Sequence, residues 1–212
     1  TYLYVIPTIT TYYDTLKANI GTSAIQALVR DSITNYSTNS LEQFGKKLRY
    51  SRFVRDLDNT NDAVLNNEAE FQMQKRFVPS RTSATLVELE FHNAIEKNSI
   101  TSTTFTFNNF IAQLDDDGLG NIRMFRFNTD KEQVFIDSKA GAIDYTTGKV
   151  SLNSFVVSAF DGIEVKVNAN PVNKDIVPVR EQIIIISSAD AVINTQAEVC
   201  LLYTSDAADE HG

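Results

Sequence analysis

Apolar residues recur at helical spacing early in the chain. A first amphipathic helix is predicted after Ser23, which can cap it; its apolar face comprises Ile25, Leu28, Val29, Ile33 and Tyr36. A second helix is predicted from near Ser40, with Leu41, Phe44 and Leu48 on one face. Ser51 can restart or bend it before Phe53, Val54 and Leu57. The polar run 58–62 then ends it.

From Ala63 the period of the pattern changes to two. One side of the segment carries Ala63, Leu65, Ala69, Phe71, Met73 and Phe77. The other side carries Asn66, Glu68, Glu70, Gln72, Gln74 and Arg76. This alternation predicts a long, half-exposed strand.

Beyond Pro79 the pattern predicts strands almost throughout. Apolar residues alternate with polar ones at 85–92, and further strands are predicted at 103–107, 122–127, 134–136, 150–157, 163–167 and 182–186. Hairpin loops are predicted at 115–121 and 146–149, where Asp, Gly and Thr cluster. The fold class predicted is α+β: a mixed helix and strand lobe at 1–78, followed by a mainly antiparallel β lobe at 79–199.

Composition places the chain among ordinary globular proteins. Its 212 residues are 42% hydrophobic and 22% charged, and no apolar run reaches the roughly 20 residues of a membrane span. The formal net charge of −8 argues against sequence-independent binding to nucleic acid, because phosphate contacts require a basic surface. Protein partners are expected instead, with no membrane and no small-molecule substrate.

Residues typical of catalysis or metal binding are scarce. His92 is the only candidate general base, and it ends an alternating strand beside Glu88 and Glu90, which favours an exposed strand residue. The aspartates at 115–117 could supply oxygen ligands to calcium, but the spacing of an EF-hand is missing, so a solvated turn is favoured. Gly118 and Gly120 fit turn glycines better than a phosphate-binding loop. We therefore expect no catalytic residues, no metal site and no cofactor.

One basic cluster stands out against the acidic composition. It comprises Lys46, Lys47, Arg49, Arg52 and Arg55. Aromatic residues are not interleaved as in proteins that bind single strands of nucleic acid, so a solvated or subunit-contacting face is the favoured interpretation. We single out Lys46, Arg49, Arg52 and Arg55 as a possible subunit contact.

The two ends of the chain carry separate expectations. Residue 1 is Thr, with no initiator Met and no signal-peptide pattern, so we expect the chain to start within a longer protein. Residues 200–210 resemble the translation of a sequencing adapter. We expect 200–212 to be a non-native tail, in which case Cys200 and His211 carry no functional meaning.

Three segments of the chain carry a resemblance to a known family. The first is Leu41-Glu42-Gln43-Phe44-Gly45-Lys46-Lys47-Leu48-Arg49-Tyr50-Ser51-Arg52-Phe53-Val54-Arg55-Asp56-Leu57-Asp58, continuing to Val64-Leu65-Asn66-Asn67. The others are Gly141-Ala142-Ile143-Asp144-Tyr145-Thr146-Thr147-Gly148-Lys149-Val150 and Val179-Arg180-Glu181-Gln182-Ile183-Ile184-Ile185-Ile186. These segments resemble the T-even-type baseplate wedge subunit of myophages, a family related to the baseplate J proteins of contractile injection machines.

The resemblance implies a structural subunit of a contractile tail, without active site or cofactor. It would pair with its own copies and with neighbouring wedge proteins in the inner ring around the hub. It would be located in the virion tail baseplate, and in the host cytoplasm during assembly. An alternative is a receptor- or carbohydrate-binding β module of a tail fibre or adhesin, which the absence of Trp weakens. A hydrolase is weaker, because a nucleophile to serve His92 is missing.

Overall fold

The computed structural model describes residues 1–179 and 181–198 of the chain. Its helices are α1 (Thr22–Tyr36) and α2 (Tyr50–Asp58), with a short π-helical turn at Ser37–Leu41 after α1. Its strands are β1 (Tyr2–Asp14), β2 (Val64–Phe77), β3 (Thr85–Glu90), β4 (Thr101–Ser102), β5 (Phe105–Phe107), β6 (Phe110–Asp116), β7 (Asn121–Phe127), β8 (Gln133–Asp144), β9 (Lys149–Phe155), β10 (Ala159–Phe160), β11 (Val165–Ala169), β12 (Ile183–Ile186) and β13 (Val192–Glu198).

The predicted α+β class is wrong, because the described residues are mainly β. Strand accounts for 47% of them and helix for 15%, with two α-helices and two sheets. Two local causes explain the error. The predicted second helix is α-helical only over Tyr50–Asp58, and Tyr2–Asp14 forms a long strand that the sequence reading did not assign. The long strand predicted from Ala63 is confirmed as β2.

Sheet one is mixed, with order β12-β1-β2-β11-β4 in the described part of the chain. Strand β1 is antiparallel to β2 and parallel to both β12 and β13, which lie end to end along its other side. Odd-numbered residues of β1 turn their backbone groups toward these two strands: the Val5 carbonyl accepts from the Ser187 N–H at 2.9 Å. Pro7, which has no N–H, falls in the gap between β12 and β13. A proline is tolerated there because no neighbouring strand needs its donor.

Both helices lie against one face of sheet one. Helix α1 buries Ile25, Val29, Ile33 and Tyr36, and α2 buries Phe53 and Leu57. The Phe53 ring contacts Tyr36 and Phe71 edge-on, at centroid distances of 5.2 and 5.3 Å. This aromatic contact joins α1, α2 and β2, so the amphipathic pattern of the helices is used to cover the sheet.

Sheet two is antiparallel, with order β10-β5-β6-β7-β8-β9-β3 among the described residues. The two predicted hairpin loops are confirmed, since 117–120 joins β6 to β7 and 145–148 joins β8 to β9. Gly118, Gly120 and Gly148 have positive φ in these loops, as turn glycines do.

The core continues from one sheet to the other. Phe155 of β9 contacts Phe77 of β2 at 5.7 Å and Phe105 of β5 at 5.2 Å between ring centroids. Sheet one takes strands from both sides of residue 78, and the division into lobes at that residue stays a prediction. The predicted non-native tail, 200–212, lies outside the described residues.

Candidate assembly surface

The basic cluster predicted from the sequence is solvent-exposed. We call Lys46, Lys47, Arg49, Arg52 and Arg55 the basic face, and all five side chains are exposed. The segment is anchored by Leu41 and Leu48, both fully buried. Leu48 and Ile176 also exchange two backbone hydrogen bonds of 3.0 Å each. The apolar positions of 41–57 therefore hold the backbone while the cations point to solvent.

Charges on the basic face are only partly neutralised. Arg49 Nη1 lies 2.7 Å from Asp175 Oδ2, and Arg55 Nη2 lies 3.3 Å from Asp56 Oδ1. The Tyr50 N–H and then the Arg49 guanidinium hold the pKa of Asp175 below its usual range. Among the described residues, Lys46, Lys47 and Arg52 have no carboxylate within 4.0 Å. These three cations are available to an acidic partner.

A large apolar side chain projects beside the basic face. Phe44 is 66% exposed, in the turn that precedes Lys46. Gly45 supplies the positive φ of +76° that this turn needs. The prediction placed Phe44 on the apolar face of a helix together with Leu41 and Leu48. The structure separates it from them, because residues 42–49 are not α-helical.

A second exposed apolar surface, the aromatic patch, lies on the outer face of sheet two. It consists of Ile111, Phe127 and Phe135, which are 70%, 56% and 45% exposed. Phe135 stands opposite Phe125 in the register of β7 and β8, and the Arg123 guanidinium lies 4.5 Å from the Phe135 ring. Exposed Phe side chains beside Arg are typical of protein interfaces.

Each aspartate of the 115–117 run is used within the fold. Asp115 accepts two hydrogen bonds from Arg123, at 2.9 and 2.7 Å. Asp116 is buried and accepts from the backbone N–H groups of Asn98 and Ile100. Asp117 closes the turn, and hydrogen bonds from Asn121 lower its pKa to about 2. The run therefore builds the β6–β7 hairpin.

His92, the candidate base, lies where the chain leaves β3. It has a positive φ of 56°, and its Nε2 lies 3.2 Å from Glu90 Oε2. The two side chains line a groove between β3 of sheet two and the start of sheet one. Sequence reasoning missed Lys75, which lines the same groove. The signal was present in the pattern, since Lys75 occupies an inward position of β2 between Met73 and Phe77.

Neither a metal cluster nor a membrane span is found among the described residues. Across 1–179 and 181–198, no three His, Cys, Asp or Glu side chains are grouped to hold a metal ion. In the same ranges no helix combines the length and apolar character needed to cross a bilayer.

Comparison with known proteins points to one family. Residues 1–76 match the family model of baseplate structural protein gp6, C-terminal domain III. No curated protein matches the chain at a significant level. The matched segment contains β1, both helices and nearly all of β2, and it includes the first of the three segments that resemble a wedge subunit. The match supports a phage baseplate protein with a structural role.

Proposed function

We propose that this chain is a structural subunit of the baseplate wedge of a contractile phage tail. It associates with its own copies and with neighbouring wedge proteins in the inner ring that joins wedges around the hub. The observation that carries the proposal is the match of residues 1–76 to a baseplate structural family, because these residues contain the basic face. The role is mechanical and not enzymatic.

The basic face is the proposed subunit contact. Three of its cations lack a carboxylate partner among the described residues, and Phe44 offers an apolar anchor beside them. The chain as a whole carries a net charge of −8, so other surfaces of its copies are predominantly acidic. A contact between the basic face of one copy and an acidic surface of the next is electrostatically complementary. The aromatic patch provides a further apolar surface for assembly.

Isotope-labelled cross-linking tests this contact at the level of residues. Unlabelled and ¹⁵N-labelled chains are mixed, treated with an amine-reactive cross-linker and digested. Cross-links of mixed isotope composition that include Lys46 or Lys47 are expected, because these amines lie at the proposed contact. Lys139, exposed on β8, is the comparison amine. If Lys46 and Lys47 cross-link only within one chain, the basic face is not the contact.

The alternative, a receptor- or carbohydrate-binding module, has less support. The open face of sheet one does carry tyrosines, but among the described residues the only aromatic side chain that lines its cleft of about 360 Å³ is Phe71, which is buried. Screening the full chain on a glycan array decides the point. Selective binding of one glycan class would favour the alternative over assembly.

A further inference from the structure

A groove of about 630 Å³ separates the beginning of sheet one from the edge of sheet two. Tyr2 and Tyr4 of β1 line one side, and Val87 and Leu89 of β3 line the other. Phe77 of β2 also lines the groove. The groove therefore offers apolar and aromatic walls of the kind that hold an extended polypeptide segment.

The groove contains a buried amine without a counter-ion. Lys75 is 9% exposed, and its Nζ donates one hydrogen bond, to the Tyr2 carbonyl oxygen at 2.9 Å. Among the described residues no carboxylate lies within 4.0 Å of this Nζ, although an ammonium has three N–H donors. Burial lowers the pKa of Lys75 to about 8, opposed in part by the charge of Glu90. The ammonium is thus desolvated and incompletely bonded.

The carboxylates of the groove already lie close to basic side chains. The pairs are Lys149 with Glu88 at 2.7 Å and with Glu90 at 3.8 Å, His92 with Glu90 at 3.2 Å, and Arg76 with Glu164 at 3.4 Å. A buried charge without a partner is costly, so the environment of Lys75 favours a ligand that brings a carboxylate.

The same groove contains an unpaired strand edge. β3 is the last strand of sheet two in the described part, and it pairs with β9 on one side only. The Phe91 N–H donates to the Gly148 carbonyl at 2.9 Å, so Leu89, in the same phase, also turns its backbone groups toward β9. Glu88 and Glu90 turn their backbone N–H and C=O groups toward the free edge of β3. There Gln182 Nε2 reaches the Glu90 carbonyl oxygen at 3.5 Å, a long hydrogen bond that a strand N–H can replace.

We propose that this groove binds an extended polypeptide segment of a partner protein, which adds to the free edge of β3 and places a carboxylate on Lys75. The backbone of the segment bonds to Glu88 and Glu90, and the carboxylate takes the two remaining Lys75 donors. The carboxylate belongs either to a chain end or to an acidic side chain. This inference concerns a site away from the basic face and does not depend on self-association.

Calorimetry with synthetic peptides on the full chain tests the site. The probes are a five-residue Thr/Val peptide with a free terminal carboxylate, the same peptide as its terminal amide, and an amide peptide with one central Asp. The free-carboxylate or the Asp peptide is expected to bind about tenfold or more tightly than the neutral amide, because of the charge-assisted bond to Lys75. Whichever acidic peptide binds more tightly identifies the source of the carboxylate. Equal binding of all three, or of none, overturns the proposal.

Two further measurements distinguish binding at Lys75 from a general charge attraction between the acidic peptides and the protein. Lys75→Met should remove the preference for the acidic peptide, whereas Lys174→Met, which removes a lysine outside the groove, should leave it unchanged. For the unmutated chain at pH 8, titrations in two buffers of different ionisation enthalpy should show uptake of up to about half a proton, since a bound carboxylate recharges the amine. No proton uptake, or acetate binding as tightly as the peptides, contradicts a peptide site at Lys75.

Discussion

The hydroxyl group of Tyr145 donates a 2.6 Å hydrogen bond to the buried carboxylate of Asp116. That carboxylate also accepts N–H bonds from Asn98, Ile100 and Gly118. Four donors from three segments therefore meet on one side chain that is 2% exposed. Burial and the adjacent Asp116 raise the pKa of Tyr145, so the hydroxyl remains a neutral donor over the physiological range.

Asp116→Asn should destabilise the fold by about 2–4 kcal/mol. The amide can accept fewer of the four bonds, and its NH₂ group opposes donors that remain buried. Urea unfolding followed by circular dichroism measures the loss. Asp130→Asn, in an exposed loop, is the control and should stay within about 0.5 kcal/mol of the parent chain. Equal effects of the two substitutions would contradict a structural role for Asp116.

Lys75→Met should stabilise the chain at pH 7 by about 1–3 kcal/mol, because it removes a buried charge and keeps the volume. The gain should shrink as pH rises. Between pH 8 and the usual lysine pKa of 10.5, the unfolded chain binds more protons than the folded one, so the stability of the parent chain rises with pH. Urea unfolding at pH 7, 9 and 10.5 measures the difference. A gain that does not change with pH would mean that the amine is not desolvated; Lys139→Met, on the exposed part of β8, is the control.

Gly148→Ala should destabilise the β8–β9 hairpin by about 3 kcal/mol or more. Its φ is +70°, and an added Cβ would collide with the backbone oxygen of Asn93. Gly162 has the same φ of +70° but open space around it, so Gly162→Ala isolates the cost of the backbone conformation, about 1 kcal/mol. Thermal unfolding of both variants compares the cost of the collision with Asn93 with the cost of the backbone conformation. Equal losses would show that the close approach of Asn93 has no energetic consequence.

The carboxyl group of Asp117 should titrate near pH 2, well below its usual value of 3.8. The side chain and backbone N–H of Asn121 stabilise the charged form of Asp117. The contribution of this pair to the stability of the folded chain is therefore present above pH 4 and is lost as pH falls toward 2. Carbon-13 NMR titration of the carboxyl group gives the value. Asn121→Ala should return it toward 3.8, and an unchanged value would mean that other groups cause the shift.

Local patterns of the sequence predicted much of the β structure. The alternation after Ala63 gave β2, and the Asp-Gly and Thr-Gly clusters gave two hairpins, because side-chain period and turn chemistry are local properties. β1 was missed, because Pro7 and several threonines obscure the alternation of apolar and polar residues along it. In addition, the strand tolerates proline only because Pro7 faces a gap between two strands that are distant in sequence. Such a gap is a tertiary feature that no local pattern contains.

Of the candidate surfaces, the basic face could be predicted from the sequence and the groove could not. The basic face was predicted from charge alone, and each of its five side chains is exposed, although its role as a contact stays a prediction. The groove could not be predicted, because Lys75 and Glu88 become neighbours only when sheet two folds against sheet one. The only local indication of the groove in the sequence was a lysine, Lys75, at an inward-facing position of β2.

Multi-angle light scattering of the full chain tests self-association most directly. We expect a mass of at least twice the 23.7 kDa of the single chain, independent of concentration in the micromolar range. Replacing both Arg52 and Arg55 with Glu should lower that mass toward the single chain, because it reduces the formal charge of the five positions of the basic face from +5 to +1. A parent chain that stays at 23.7 kDa at every concentration, or a double variant that assembles as the parent does, would contradict self-association through this face.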